Sequence, residues 1–493
     1  MAWLLALACS ACTVGPNFVK PAIDAPHGWT ASREPATATD VPSKLVPGSA
    51  MDRRWWSVFQ DPVLDRLIDV AMEQSFDVQE AGLRIAEARA LRDSAAGAYY
   101  PSVESTSVAA RLRSGASGVG QLLGGSSGSG SSGESGASSS SSSGFTTNLF
   151  QVGFDATWEP DLFGSVRRNV EASEAAIVSA EEQRRDAQVS LAAEIARAYM
   201  TLRGAERQRA ITLADLASQE HLAELIGSRN RSGLAPSSDV ATQSVQVSAA
   251  RARLPQVEQS IANNRNRLAL LLALPPGSVD EQLGERALPS LPPEVPVGLP
   301  GDLLRRRPDI RRREADAAVA SARIGVATAA LFPSVRFGAV GSLSSNKANS
   351  LFDWASRFGL VGAQLSIPIF EGGQLRSQVR VADYRAQQAI VTYRQTVLAA
   401  FHDVDNAMTT YALDQRRTID LDRQLQDSRH GRDLARDRYV AGLGAYIDVL
   451  NAEHQANQAE LDLAQSSVTA STDLVALFKA LGGGWEGLEG SGR

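Results

Sequence analysis

Three groups of residues in this 493-residue sequence have types and spacings from which chemistry is often built: a glycine–serine motif, five histidines and two cysteines. Gly124, Ser126 and Gly128 match the Gly-x-Ser-x-Gly pattern of hydrolase nucleophile elbows, in which a strand leads into the serine. No strand pattern precedes this serine, and 24 of the 31 residues at positions 114–144 are Ser or Gly. Composition therefore accounts for the match, and the segment is expected to be a flexible loop.

The histidines have no partner at a metal-binding spacing. They are His27, His221, His402, His430 and His454. They are scattered along the chain, with no His-x-x-x-His spacing and no cysteine partner, which are the arrangements that usually indicate a metal site. The sequence predicts no metal site, no cofactor and no enzymatic activity.

The two cysteines point to a modification. Cys9 and Cys12 lie directly behind an apolar stretch, and Cys12 follows two small residues, as the acylated cysteine of a bacterial lipobox does. We expect a signal peptide over residues 1–11, lipidation at Cys12 and an N-terminal tether over residues 12–54. The alternative is an ordinary apolar N-terminus with two spare thiols.

Composition excludes other classes of protein. The formal charge of −6, the pI near 5.6 and the aromatic content of 6% give no basis for nucleic-acid binding. No run of about 18 apolar residues occurs, so the sequence predicts no transmembrane helix. A membrane crossing by this chain would have to use strands.

The elements that organise the chain are two similar stretches, each with a Gly-Leu followed by an aspartate. Gly233, Leu234 and Asp239 recur as Gly442, Leu443 and Asp448, at a constant offset (442 − 233 = 448 − 239 = 209). A glycine ends a helix at low cost because it adopts a left-handed conformation, and an aspartate favours the first turn of the next helix. Both stretches are predicted to be tips of helical hairpins, which makes the chain an internal duplication.

The duplication divides the chain into consecutive parts. The first repeat covers residues 55–274, with strands at about 102–110 and 149–158 and a tip at about 230–238. A Pro-rich linker covers residues 275–300, and the second repeat covers residues 301–482, with strands at about 334–343 and 358–367 and a tip at about 440–446. Residues 483–493 are expected to form a flexible tail.

Strand number requires more than one chain if the strands span a membrane. Each predicted strand has about ten residues, which suffices to cross a bilayer at a tilt. Four strands cannot close a barrel, and known membrane barrels begin at about eight strands. Two chains would supply eight strands and three would supply twelve, and the strands themselves leave both open.

The sequence resembles the outer-membrane efflux proteins, and within them the lipoprotein channels of tripartite pumps that contain resistance-nodulation-division transporters. The matching stretches are Cys12–Phe18, Trp55–Pro62, Trp158–Gly164, Arg306–Arg311, Phe332–Ser334 and the two hairpin tips. The resemblance implies a mixed α and β homotrimer with a twelve-stranded transmembrane β-barrel, four strands per chain, continuing into a long periplasmic α-helical barrel. It also implies an outer-membrane location in a Gram-negative bacterium, contact with outer-membrane lipid, and two partners: a periplasmic adaptor protein and an inner-membrane pump.

The resemblance assigns roles to residues at the tips. Asp239, Tyr439, Asp448 and Asn451 match positions of the periplasmic gate, and Gly233, Leu234, Gly442, Leu443 and Gly444 match the tips that dock on the adaptor. Asn451 stands where members often have an aspartate and Gly444 where some have a basic residue, so we expect a weaker charge ring. Alternatively, the aspartates only stabilise their helices and the leucines only pack on their own hairpin.

The implied function is the passive conduction of drugs or other small molecules to the exterior. Two alternatives remain open from sequence: an outer-membrane duct for protein export, and a coiled-coil envelope lipoprotein without a pore.

Overall fold

The computed structural model describes residues 13–30, 41–49, 52–114, 145–284 and 286–486. The strands are β1 (Lys44–Pro47), β2 (Ser102–Ser114), β3 (Phe145–Trp158), β4 (Glu294–Gly298), β5 (Ser334–Ser345) and β6 (Arg357–Ser366). The α-helices are α1 (Pro62–Gln74), α2 (Phe76–Gly97), α3 (Ser165–Arg231), α4 (Ser237–Leu271), α5 (Asp280–Leu283), α6 (Pro300–Arg306), α7 (Pro308–Ala329), α8 (Gln374–Val440) and α9 (Tyr446–Ala480). Helix and strand are mixed as expected. No helix among these residues is long and apolar enough to cross a membrane.

The internal duplication is visible in the lengths of the helices. Both α3 and α8 have 67 residues, and both α4 and α9 have 35. It is also visible in strand register, because offsets of 232 and 209 carry the pair Ser102–Thr157 onto the pair Ser334–Ser366 (102 + 232 = 334; 157 + 209 = 366). The two repeats therefore build their strand pairs in the same way.

The chain folds into two compact units that cut across the repeats. One consists of residues up to Phe18, Ala90–Glu174 and Val319–Ala386, and the other consists of Val19–Arg89, Ala175–Ala318 and Gln387–Arg493. Each unit contains segments from both repeats. In the first unit, for example, β3 of the first repeat pairs with β5 of the second repeat.

The first unit contains a four-stranded antiparallel sheet in the order β2-β3-β5-β6. Every strand joins a long helix at the same end of the sheet, and the β5–β6 connection lies at the opposite end, which we call the hairpin end. Residues 115–144 of the expected Ser/Gly loop lie outside the described residues. The edge strands are β2 and β6, and all ten residues of β6 are exposed in the single chain.

The two faces of the sheet differ in chemistry. Directly opposed residues share a face, so the register groups apolar side chains from all four strands on one side. This apolar face contains Val103, Phe150, Val152, Phe154, Ala156, Trp158, Val335, Phe337, Ala339, Leu343, Val361, Ala363 and Leu365. The other face contains Glu104, Thr106, Gln151, Asp155, Thr157, Arg336 and Gln364, together with the apolar residues Val108, Leu149, Val340, Phe358 and Leu360. One side is suited to lipid and the other to water.

Aromatic pairs hold the helix end of the sheet. Trp158 stacks on Phe337 at 5.9 Å on the apolar face, and its indole N–H donates to the carbonyl of Tyr99 at 3.0 Å. Phe163, which follows β3, stacks on Phe332 at 4.8 Å, just before β5. These contacts join the two repeats where strands become helices.

The described N-terminal segment is fastened to the same unit by Arg168. Its buried guanidinium donates to the carbonyls of Val14 and Gly15, both at 3.1 Å, and to Oδ1 of Asn17 at 2.8 Å. Gly15 has a φ of +92°, and a Cβ there would overlap the backbone of Gly325. The Val-Gly-Pro-Asn stretch is thus docked against α3 and α7.

The second unit is built around tryptophans that precede α1. Trp55 and Trp56 are fully buried in a 3₁₀ turn, and Trp55 stacks on Phe478 of α9 at 5.1 Å. Asp61 caps α1 through the Val63 amide at 2.9 Å and accepts a bond from the Tyr199 hydroxyl at 2.5 Å. The Trp-Trp stretch therefore forms the centre of a core between the long helices.

Two short segments add to this unit in ways that periodicity does not show. Strand β1, in the tether, pairs in parallel with β4, in the Pro-rich linker. Near the C-terminus Trp485 is buried, with the guanidinium groups of Arg185 and Arg311 over its ring at 4.7 and 5.5 Å. Its indole N–H donates to the carbonyl of Arg306 at 3.0 Å. The described residues of the expected tail, Gly483–Glu486, are packed at this place.

Candidate functional site at the hairpin tips

Both hairpins turn through the same capping motif. Gly233 and Gly442 have φ values of +74° and +73°, which only glycine adopts at low cost. The next residue in each tip donates backward over five residues, Leu234 to the carbonyl of Arg229 and Leu443 to that of Arg438, both at 2.8 Å. This is the Schellman pattern of a helix C-terminus, and it explains the glycine at each tip.

The residues that follow the glycines point outward. Leu234 and Leu443 are 70% and 74% exposed, although leucine is usually buried. Gly444 is half-buried, and a Cβ there would lie 3.3 Å from Cβ of Arg438. Each tip therefore presents one leucine that its own hairpin does not cover.

A small apolar cluster joins the two hairpins of one chain behind the tips. Its buried members are Leu222, Ile226, Tyr439, Tyr446 and Val449. The first two belong to α3 and the others to α8 and α9, so the cluster connects the first hairpin with the second. The rings of Tyr439 and Tyr446 are 6.1 Å apart.

A buried polar chain crosses the same contact. The hydroxyl of Tyr446 donates to Oε1 of Gln243 at 2.5 Å, and Nε2 of Gln243 donates to the backbone carbonyl and Oε1 of Gln219 at 2.8 and 2.9 Å. Gln219 in turn donates to Asp215 at 3.2 Å. Gln243 is fully buried, so water cannot reach its side chain. These hydrogen bonds supply the partners that its amide group would otherwise find in water.

Burial keeps the Tyr446 hydroxyl protonated. Removal from water raises its pKa to about 12, and the negative charge of Asp239 acts in the same direction. Tyr446 is therefore a neutral donor at any physiological pH, and its bond to Gln243 does not switch with pH.

Arg229 forms a second link between the hairpins. Its guanidinium lies 4.6 Å from the ring centre of Tyr439 and donates to the Tyr439 carbonyl at 3.1 Å. The Tyr439 carbonyl thus accepts two hydrogen bonds, one from Arg229 and one from the Gly442 amide of the capping turn at 3.0 Å.

The four residues expected at a gate occupy different environments. Tyr439 is buried in the cluster between the hairpins, whereas Asp448 and Asn451 are exposed and Asp239 is half-buried. Asp448 accepts a bond from the Ala445 amide at 3.3 Å, so it caps α9. The structure thus brings Tyr439 into an inter-hairpin contact and leaves Asp448 and Asn451 on the surface near the second tip.

Sequence reasoning missed the residues that connect the hairpins: Arg229, Gln219, Gln243 and Tyr446. The offset of 209 contains a partial signal, because Tyr446 corresponds to Ser237 and Tyr439 to Asn230. The second tip therefore has two aromatic rings where the first has small polar side chains. Such a departure from the repeat marks a residue that contacts something its counterpart does not.

Other expected sites have simpler outcomes. Cys12 lies outside the described residues. Among the described residues no cluster of three or more His, Cys, Asp or Glu side chains could hold a metal ion.

The duplicated strand–helix–hairpin chain, with one apolar sheet face and four long helices, defines a class of outer-membrane channel. The family model for outer membrane efflux proteins matches residues 67–274 and 299–483. The chain belongs to the outer membrane efflux protein family.

Individual relatives agree with this assignment. The chain is 30% identical over 482 residues to the pyoverdine export outer membrane protein OpmQ of Pseudomonas putida, covering 97% of this chain and 95% of the relative. It is 30% identical over 487 residues to the antibiotic efflux pump outer membrane protein ArpC of Pseudomonas putida, covering 98% and 96%. The solved structure of the outer-membrane channel OprN superposes with a TM-score of 0.82 at 32% identity, covering 96% of this chain and all of that one. The protein is an outer-membrane efflux channel.

Proposed function

We propose that three copies of this chain form the exit duct of a tripartite efflux pump, which conducts small molecules passively from an inner-membrane transporter and a periplasmic adaptor to the exterior. The observation that carries this proposal is the sheet, with its apolar face, its polar face and two unpaired edges. An open edge is unfavourable in lipid, so the edges must pair with those of other copies.

The strands are long enough for this role. The 12 residues of β5, at about 3.4 Å each, extend about 40 Å, which gives about 30 Å of height at a tilt of about 40°. This height matches the hydrocarbon core of a bilayer. The apolar face would contact lipid and the face with Glu104, Asp155 and Arg336 would line the duct.

The duplication predicts how neighbouring copies pair. Within the chain, Trp158 of β3 lies opposite Phe337 of β5. The same offsets place Ile367 (158 + 209) opposite Ser105 (337 − 232) of the next copy, and hence Leu365 opposite Ser107. A chain with Leu365→Cys and Ser107→Cys should form disulfide-linked oligomers up to the trimer on non-reducing gels.

A matched control uses Leu365→Cys with Thr106→Cys. Thr106 lies on the opposite face of β2, so the same oxidation should leave this variant as single chains. Equal cross-linking of both variants would contradict the register, and a linked dimer without trimer would contradict three copies.

Conduction separates the duct from a coiled-coil lipoprotein without a pore. Purified protein added to a planar lipid bilayer should give discrete conductance steps, whereas a tether would give none.

A transport assay distinguishes small-molecule efflux from protein export. Deleting the gene should raise intracellular accumulation of a fluorescent drug in its host and leave the secreted proteins unchanged.

For the gate, we propose that Asp239, Tyr439, Asp448 and Asn451 constrict the duct at the tips. The support is the exposure of Asp448 and Asn451 beside a tip that Tyr439 ties to the first hairpin. In planar bilayers Asp448→Ala should conduct more at rest than the wild type. A resting conductance equal to that of the wild type would remove Asp448 from the gate and leave it as a cap of α9.

For the anchor, we propose acylation of Cys12. An inhibitor of lipoprotein signal peptidase should slow the mobility of the wild type on gels and leave Cys12→Ala unaffected. Identical mobility in all lanes would exclude lipidation.

A further inference from the structure

The β5–β6 connection at the hairpin end is a compact loop that closes on itself. The hydroxyls of Ser345 and Ser350 are 2.7 Å apart, and the Ser356 hydroxyl donates to the Ser350 carbonyl at 2.6 Å. The Lys347 amide donates to Oγ of Ser345 at 3.2 Å, and Leu351 is buried beneath the loop. The loop can therefore hold its outward side chains in fixed positions.

Those outward side chains are aromatic. Phe352 and Trp354 are both 77% exposed. The guanidinium carbon of Arg357 lies 3.3 Å from the ring centre of Trp354, so the ring covers one face of the cation. Among the described residues no side chain or carbonyl accepts a hydrogen bond from this guanidinium. Arg357 begins β6 and lies opposite Leu343, which places it on the apolar face.

A second arginine lies at the same end and on the same face. Arg111 of β2 is exposed and lies opposite Asn148. Within the described part of the chain, neither Arg111 nor Arg357 forms an ion pair with a carboxylate, and Asp353 in the loop forms none either. Two cations that no described carboxylate pairs with thus border a surface that otherwise suits lipid chains.

Pairing of β6 with β2 of the next copy would place the two arginines at neighbouring positions along the rim of the barrel. The register proposed for neighbouring copies places Arg111 of the next copy opposite Val361 (361 + 111 = 367 + 105 = 472). Val361 is four residues from Arg357, or about 14 Å along the strands. One headgroup with more than one phosphate could contact both side chains.

We propose that Arg357, positioned by Trp354, and Arg111 bind the phosphate groups of lipids at the outer rim of the sheet. A planar guanidinium matches the geometry of a phosphate better than any other side chain, and aromatic rings favour the level of lipid headgroups. The apolar face beside the arginines lowers the local dielectric and strengthens the attraction. The inference rests on the proposed function, because the apolar face must contact lipid with the hairpin end outward.

Native mass spectrometry of the full-length protein in detergent tests the proposal, with lipid A that has two phosphates and with dephosphorylated lipid A as probes. The wild type should retain the phosphorylated form preferentially. Arg357→Gln should weaken its binding about tenfold, equivalent to about 1.4 kcal/mol. Arg357→Lys should fall between them because it retains the charge and loses the planar fork.

The control is Arg336→Gln, which removes a cation from the opposite face of the same sheet and should leave lipid A binding unchanged. Thermal unfolding of each variant checks the fold, and Arg357 is exposed enough for its variants to fold. The proposal is overturned if Arg357→Gln binds phosphorylated lipid A as tightly as the wild type does. It is also overturned if inorganic phosphate at equal concentration displaces the lipid, since the site would then recognise a free anion.

Failure of this inference and failure of the proposed function give different results. A wild type that conducts in phosphatidylcholine bilayers and shows no preference for phosphorylated lipid A retains its function and loses the lipid site. A wild type that conducts in no bilayer loses the function, whatever its lipid binding in detergent.

Discussion

The hydroxyl of Tyr446 and the side-chain oxygen of Gln243 form a 2.5 Å hydrogen bond between residues that belong to different hairpins. Gln243 is fully buried and continues the chain of bonds to Gln219. Separating the two hairpins at this tip would break the Tyr446–Gln243 bond and expose the buried Gln243 side chain to water. The hairpins of one chain are therefore coupled close to the residues that we propose as the gate.

Removing the Tyr446 hydroxyl tests that coupling. Tyr446→Phe leaves Oε1 of Gln243 buried without its donor, which should cost about 1 to 3 kcal/mol of stability. We expect a lower thermal unfolding midpoint and a higher resting conductance in planar bilayers. Tyr439→Phe is the matched control for stability, because it retains the ring over which Arg229 lies, and it should leave the thermal unfolding midpoint unchanged. Equal effects of both substitutions would contradict a specific role for the Tyr446–Gln243 bond.

The tip glycines should be intolerant of any side chain for a conformational reason. Nothing lies within 4 Å of a Cβ built on Gly233 or Gly442, so steric clash is absent and only the positive φ opposes substitution. Gly233→Ala and Gly442→Ala should each cost about 1 to 2 kcal/mol in chemical denaturation.

Gly431→Ala in α8 should have the opposite effect and raise the free energy of unfolding. This position also has open space around it, but it lies inside a helix, where alanine is favoured by about 0.5 to 1 kcal/mol. If all three substitutions destabilised the protein equally, the left-handed caps would not explain the tip glycines.

The sequence predicts the parts of this structure that depend on residues close together in the chain, and it does not predict contacts between residues far apart in the chain. The long helices and four strands follow from local periodicity and from Gly and Pro signals, and the Gly-Leu pattern predicts the caps correctly. The chain from Tyr446 through Gln243 to Gln219 does not follow, because it joins residues about 200 positions apart and periodicity identifies only the buried face of a helix. Strand β1 could not be predicted for another reason. Its four residues are too few to show alternation, and they form a strand only because they pair with β4.

The exposed tip leucines should matter for partner binding and not for folding. Leu234 and Leu443 are 70% and 74% exposed, so Leu234→Asp and Leu443→Asp remove little buried surface. Each change should leave thermal unfolding within about 0.5 kcal/mol of the wild type. In a pull-down titration with the periplasmic adaptor of the proposed pump, each should weaken binding at least tenfold.

Leu413→Asp is the control for tip docking. Leu413 lies in the middle of α8 and is 56% exposed, so the substitution makes the same chemical change away from both tips. Adaptor binding that falls equally in this control would indicate a general surface effect. Unchanged binding in both tip variants would show that the leucines only complete their own hairpins.

A carboxyl pair in the long helices should make stability depend on pH. Burial raises the pKa of Asp473 in α9 to about 7, and the hydrogen bond and charge of Asp414 in α8 act in the same direction, while Arg197 opposes them. The pKa of an unfolded aspartate is about 3.9. Because the folded pKa is the higher one, the folded state binds the proton more tightly, and the stability present below about pH 4 is lost as pH rises through about 7.

Asp473→Asn should therefore raise the thermal unfolding midpoint at pH 8 and have much less effect at pH 5. The amide is neutral at both pH values and can donate a hydrogen bond to Asp414. The variant therefore avoids the cost of holding a buried negative charge beside Asp414. Asp420→Asn is the control, since that side chain is 75% exposed on α8 and pairs with the exposed Arg423, and it should give no pH-dependent gain. A midpoint for Asp473→Asn that tracks the wild type from pH 5 to pH 8 would show that both carboxyls ionise freely, with water reaching the space between α8 and α9.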